Sequence, residues 1–183
     1  MFTPRFWALA GITLAVAMTR VVPHPWNFTP VGALCLFGGA YFARRWAAYG
    51  VPLAALVLSD LVLAATHYTF AQLQYMPPVY LSFALIVGLG TLLRGRTRLL
   101  PVAAAAVAAA LLHYAITNFA VWLFQDFYPR TGEGLVACYV AALPYLKNML
   151  AANLVFSGVL FGGFAWAQHR FPMLRETTVA PAA

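Results

Sequence analysis

The chain has 183 residues, of which 63% are hydrophobic and only 8% charged, and carries a net charge of +7. A soluble domain of this size cannot hide so much apolar surface, so a soluble globule is excluded and the chain reads as an integral membrane protein. The excess positive charge does not point to nucleic acid, because the basic residues are scattered between apolar runs without a patch or motif. Cys35 and Cys138 are too few to form a disulfide framework.

Six apolar runs follow one another, at about 6–22, 29–43, 47–66, 77–93, 99–123 and 143–168. Most approach the ~20 residues that a spanning helix needs. They predict an all-α, polytopic membrane bundle of six transmembrane helices in a single domain, residues 1–175. Residues 176–183 read as a disordered cytoplasmic tail.

The first run begins after Arg5 and carries Gly11 and Ala15, a small-xxx-small pair that allows close helix approach. It also resembles a signal peptide ending near Ala15-Val16-Ala17, although Arg20 follows closely. Cleavage of residues 1–17 stays open at the level of sequence. PHPWNFTP, residues 23–30, leads into the second run. At about 14 residues, or ~21 Å, that run is too short for the full hydrocarbon layer, so its start is expected inside the protein. Thr29 and Pro30 read as N-cap and first helical residue. The fourth run begins at Met76-Pro77-Pro78 and the sixth at Pro144. These three helix N-termini face one side, where their partial positive charges favour a polar or anionic group.

Charge placement orients the bundle. Arg5, Arg44, Arg45, Arg94, Arg96, Arg98, Arg170 and Arg175 fall on one side, while Arg20, Arg130 and Lys147 fall on the other. The positive-inside rule puts both termini in the cytoplasm of a bacterial inner membrane protein. The opposite, outer connections (23–30, 67–78 and 125–148) gather amide, aromatic and histidine side chains, among them His24, Asn27, His67 and Tyr75. Loops on a rigid scaffold often carry binding groups. The alanine run 102–112 suits tight packing.

Polar groups also occur inside the spans. Ionisable residues there are costly and normally face a protein interior or cavity. Asp60 lies about two thirds of the way out along the third helix, at the depth of His113, and the two are a candidate pair. Asn118, Lys147, Asn148 and Asn153 lie in the outer halves of the fifth and sixth helices. The two cysteines read first as small buried residues, and no metal is assigned. No nucleophile triad, HExxH, CxxC, phosphate loop or dinucleotide motif is present. The expectation is therefore no enzyme. An intramembrane enzyme using Asp60 with histidines, and a structural or assembly subunit, are the alternatives.

The run PHPWNFTPVGALCLFGGAYFARRW, with VPLAALVLSDLVL, PPVYLSFALIVGLG, TNFAVWL and ACYVAALPYLKNMLAANLVFSGVLFGG, resembles a family of six-helix bacterial membrane proteins of the PHPxNFTPxxALxLFxGAYF type. Its layout is similar to the S components, the substrate-binding subunits, of energy-coupling-factor vitamin transporters, including the solitary vitamin B12-specific ones. The resemblance implies a substrate-binding subunit for uptake of a vitamin or related micronutrient, with cobalamin a candidate substrate rather than a resident cofactor. It also implies an energy-coupling membrane subunit that docks on helix 1, where Gly11 and Ala15 replace the usual Ala-xxx-Ala. Neither Cys35 nor Cys138 aligns with the cobalt-binding cysteine of the B12-specific group. The substrate-binding candidates are His24, Asn27, Asp60, Tyr75, Tyr80, Asn118, Tyr145 and Asn148.

Overall fold

The computed structural model describes residues 2–66 and 76–175. Among them are seven α-helices: α1 (Pro4–Met18), α2 (Val31–Tyr41), α3 (Arg45–Thr66), α4 (Met76–Thr91), α5 (Leu99–Phe124), α6 (Gly132–Ala141) and α7 (Leu143–Arg170). His67, Tyr75 and the tail 176–183 lie outside the described residues.

The short second helix is the axle of the fold. Every residue of α2 is buried, and α2 packs against α1, α3, α4, α5 and α7. These five surround it in the order α1, α3, α4, α5, α7, each packed on the next. The seam between α7 and α1 is bridged by the 3₁₀ turn Pro172–Leu174, which touches both. An eleven-residue helix is only about 16 Å long, so α2 is enclosed by longer neighbours, and its first residues are buried along with the preceding Pro30.

Glycines allow this enclosure. A Cβ on Gly39 of α2 would lie 2.3 Å from the Val87 carbonyl oxygen of α4, and one on Gly90 of α4 would lie 2.5 Å from the Leu36 carbonyl oxygen. The two backbones therefore touch, as small residues permit in membrane helix pairs. The alanine run behaves as expected: Val102, Ala105, Ala106, Ala109 and Ala110 form the buried face of α5. Leu9, Phe37, Ile86, Val87 and Phe164 fill the remaining core.

Three helices, Arg45–Ala65, Leu99–Phe124 and Leu143–Arg170, are long and apolar enough to cross a membrane. Many of their large apolar side chains point outward, including Leu58, Leu61, Leu111, Val155 and Trp166. That is the pattern of a membrane protein, whose outer surface is solvated by lipid. α1, α2 and α4 have 15, 11 and 16 residues.

The start of α2 differs from the expectation at one position. Pro30, not Thr29, is the N-cap residue, and no side chain caps the helix. The Pro30 carbonyl already accepts the first helical bond from Leu34 N–H (2.9 Å), which moves the helix start one residue on. The connection 125–148 also holds more structure than a loop, since it contains α6. The Thr131 hydroxyl caps α6 by accepting the Gly134 N–H at 3.1 Å, and Glu133 in the first turn suits the helix dipole.

Candidate functional site

Asp60 is the one acidic residue in the interior of a helix, since Glu133 stands in the first turn of α6 and Asp126 in a connection, with Glu176 outside the described residues. Buried carboxylates require a counter-charge. Arg20 supplies it from the 3₁₀ turn Thr19–Val21 that continues α1. Its Nη1 lies 2.7 Å from Asp60 Oδ1, and the side chains are 12% and 4% exposed. Tyr80 of α4 donates its hydroxyl to Asp60 Oδ2 at 2.7 Å. Ser59, buried beside Asp60, accepts from Arg20 Nη1 at 2.5 Å and donates to the Leu56 carbonyl at 2.8 Å. One charged cluster thus joins α1, α3 and α4.

The cluster is not internally closed. Asp60 Oδ1 has the Arg20 guanidinium as its partner at 2.7 Å, while Arg20 Nε is buried without a hydrogen-bond partner among the described residues. Such an orphaned buried atom is rare in native proteins.

The Asp60–His113 pair expected from matching depth does not form. Asp60 and His113 stand about 21–23 Å from the starts of their own helices. They are separated by rotation around α4. Tyr80 and Ser82 are two residues apart, about 200° around that helix. Tyr80 meets Asp60 of α3, while the Ser82 hydroxyl lies 2.7 Å from His113 Nδ1 on α5. Phe83 covers the imidazole, with ring centroids 4.8 Å apart.

The remaining candidates divide. Asn148 of α7 donates to the Trp26 carbonyl at 2.9 Å, pinning the connection into α2. That connection contains a tight turn in which Phe28 N–H donates to Pro25 O at 2.9 Å. Asn27 has φ of 61°, the left-handed conformation that the third position of a type II turn requires and that asparagine tolerates. Phe28 then packs on Phe156 of α7, with centroids 5.8 Å apart. PHPWNFTP is therefore a folded plug fastened to α7, and Asn27 has a backbone reason to be there. The exposed ring of His24 lies with Nδ1 2.6 Å from the Val22 carbonyl.

Asn118 spends its amide on its own helix, donating to Tyr114 O at 2.8 Å, and stands away from the Asp60 cluster. Tyr145 is exposed without a side-chain hydrogen bond among the described residues. Tyr75 lies outside those residues. Of the seven described candidates, Asp60 and Tyr80 are joined by a side-chain hydrogen bond.

Arg20 and Ser59 were not among the candidates. Arg20 served only to orient the chain, yet a carboxylate inside a span demands a cation, and few basic residues lie at that end. A second polar pair is also hidden: Asn153 and Ser157 lie one turn apart on α7, both fully buried. Asn153 donates to Ala106 O at 3.2 Å, while its Oδ1 and the Ser157 hydroxyl have no partner among the described residues. Gly32 makes room for the amide, since a Cβ there would lie 2.4 Å from Asn153 Oδ1.

Neither cysteine is presented to a ligand space. Cys35 is wholly enclosed in α2. Cys138 stands on the buried face of α6 with its thiol directed to the Asn118 carbonyl of α5 at 3.5 Å, and burial pushes that thiol above its ordinary range. Among the described residues no three His, Cys, Asp or Glu side chains converge as a metal site.

No curated protein and no solved structure matches the chain. The model of one family covers residues 1–174, so the chain belongs to DUF6580, a family of unknown function.

Proposed function

We propose that this protein is the substrate-binding membrane subunit of an uptake system for a vitamin or related micronutrient. The observation that carries the reading is the buried Arg20–Asp60–Tyr80 cluster, in which Arg20 Nε has no hydrogen-bond partner among the described residues. A charged group at membrane depth is expensive and marks a solute pathway or site more often than it adds stability. A ligand with a polar or anionic group would satisfy the arginine and displace part of its contact with the carboxylate.

In this reading α1 with Thr19–Val21, the short α2 and α4 join α3, α5 and α7 as six membrane segments. Both termini are cytoplasmic in the bacterial inner membrane, and the plug Pro23–Pro30 lies on the outer face. Trp26, exposed on the plug, and Tyr145 would flank the entrance, since aromatic walls typify small-molecule sites. Gly11 and Ala15 are both exposed on α1, with nothing near the position of a Gly11 Cβ. That smooth face suits an energy-coupling membrane partner. The buried cysteines favour a substrate held by polar groups over cobalt ligation by a thiol, so cobalamin is one member of the panel to test rather than the assumed cargo.

The test is a melting-temperature screen of the detergent-solubilised chain against a panel of water-soluble vitamins including cobalamin. One compound should raise the melting temperature of wild type, and Tyr80→Phe, which removes one hydroxyl and no charge, should weaken its apparent affinity about tenfold. A ligand bound equally by wild type, Tyr80→Phe and Asp60→Asn would refute this placement of the site. The structural-subunit alternative predicts no ligand and a stable protein partner on α1.

A further inference from the structure

A cleft of about 320 Å³ opens at the far end of the bundle from Asp60. It lies between the start of α1, the C-terminus of α2, the α4–α5 connection and the end of α7, and Arg5, Tyr41, Arg94, Thr97 and Gln168 line it.

Both arginines first serve the fold. Arg94 donates from Nε to Gly39 O (3.1 Å) and from Nη2 to Phe42 O (2.9 Å). Arg5 donates from Nη2 to Tyr41 O (3.2 Å) and from Nη1 to Leu174 O (3.1 Å). Its guanidinium also lies 5.9 Å and 5.8 Å from the ring centroids of Tyr41 and Phe164. They thus cap the carbonyl end of α2, where a helix carries roughly half a negative charge. Two guanidinium charges far exceed that half charge. Among the described residues no carboxylate lines the cleft. Arg94 Nη1 and Arg5 Nε make no hydrogen bond to a described residue, and neither is a buried orphan, so each keeps a donor for a partner outside the fold.

Large apolar side chains are exposed at this end of the bundle, alongside Arg96 and Arg98 of the α4–α5 connection. Leu99 and Leu100, directly after the α4–α5 connection, are 85% and 79% exposed, and Phe171 and Met173 are exposed beyond α7. A cationic cleft beside outward apolar side chains matches a molecule with an anionic head and hydrocarbon chains better than a free ion. Guanidinium donors suit phosphate oxygens, and basic pockets between membrane helices take anionic lipid headgroups.

We propose that this cleft binds the phosphate of an anionic phospholipid. The site is separate from the one proposed around Asp60 and does not depend on it.

Native mass spectrometry of the full chain in mild detergent tests the proposal, with phosphatidylglycerol, phosphatidylcholine and inorganic phosphate added in turn. Phosphatidylglycerol should be retained at least several-fold over phosphatidylcholine. Arg94→Gln should reduce that retention about tenfold, Arg94→Lys should restore part of it, and Arg44→Gln, an equal loss of charge outside the lining, should leave it unchanged. Equal retention of the two lipids, binding of inorganic phosphate without a lipid preference, or an equal loss in Arg44→Gln would each overturn the assignment. Should Arg94→Gln fail to fold, the wild-type lipid comparison together with Arg44→Gln decides alone.

Discussion

Replacing Asp60 by leucine removes the carboxylate that faces Arg20 at 2.7 Å and accepts the Tyr80 hydroxyl. Arg20 is then left in a site where its side chain is only 12% exposed, with Ser59 as its remaining neutral contact. Breaking a buried pair from one side costs about 3–5 kcal/mol, because the remaining charge is uncompensated. Arg20→Met should cost a similar amount for the converse reason. The double variant Asp60→Leu/Arg20→Met removes both charges and replaces them with apolar atoms, so it should recover most of the loss, leaving chiefly the unpaired Tyr80 hydroxyl at about 1–3 kcal/mol. Equilibrium unfolding by denaturant in mixed micelles, run as a double-mutant cycle, measures the coupling. Single variants within about 0.5 kcal/mol of wild type, or a double variant losing the sum of the singles, would refute the pairing.

Gly39→Ala should destabilise by about 1–3 kcal/mol in the same assay, since its Cβ meets backbone atoms of α4 at 2.3–2.9 Å that no rotamer change can move. Gly11→Ala, with nothing within 4 Å, should stay within about 0.5 kcal/mol, and a comparable loss at both positions would contradict the described crossing. Cys35 and Cys138 should resist a maleimide in the native state and react after unfolding, as monitored by intact mass. Rapid native labelling of Cys138 would contradict its place on the buried face of α6. Cys138→Ser should leave ligand retention unchanged, which a thiol–metal contact would not allow.

Much of the helical architecture is legible in the chain because lipid-solvated helices must be long, apolar and bounded by charge. The alanine run predicts a closely packed face, and the brevity of the second run predicts its enclosed start. The ring around α2 is not legible, because it depends on which faces meet. Gly39 and Gly90 reveal their purpose only when the Val87 and Leu36 carbonyls are seen against them. Helix α6 escapes notice because GEGLVACYVA is short and carries two glycines in its first turn, just after Pro129. At the site, the depth of Asp60 and His113 can be counted along each helix, but their azimuth cannot, so the expected pair resolves into Asp60–Tyr80 on one side of α4 and His113–Ser82 on the other. Asn27 shows the opposite ambiguity. A polar residue in an outer connection suggests binding, whereas its positive φ gives it a turn to make.

The most direct measurement is the small-molecule content of the protein itself. Purified in mild detergent from cells grown in rich medium, wild type should carry a vitamin-class compound detectable by mass spectrometry, and Asp60→Asn should lose it while remaining monodisperse. A folded wild-type protein that retains no such compound, and whose melting temperature no added vitamin raises, would contradict the account.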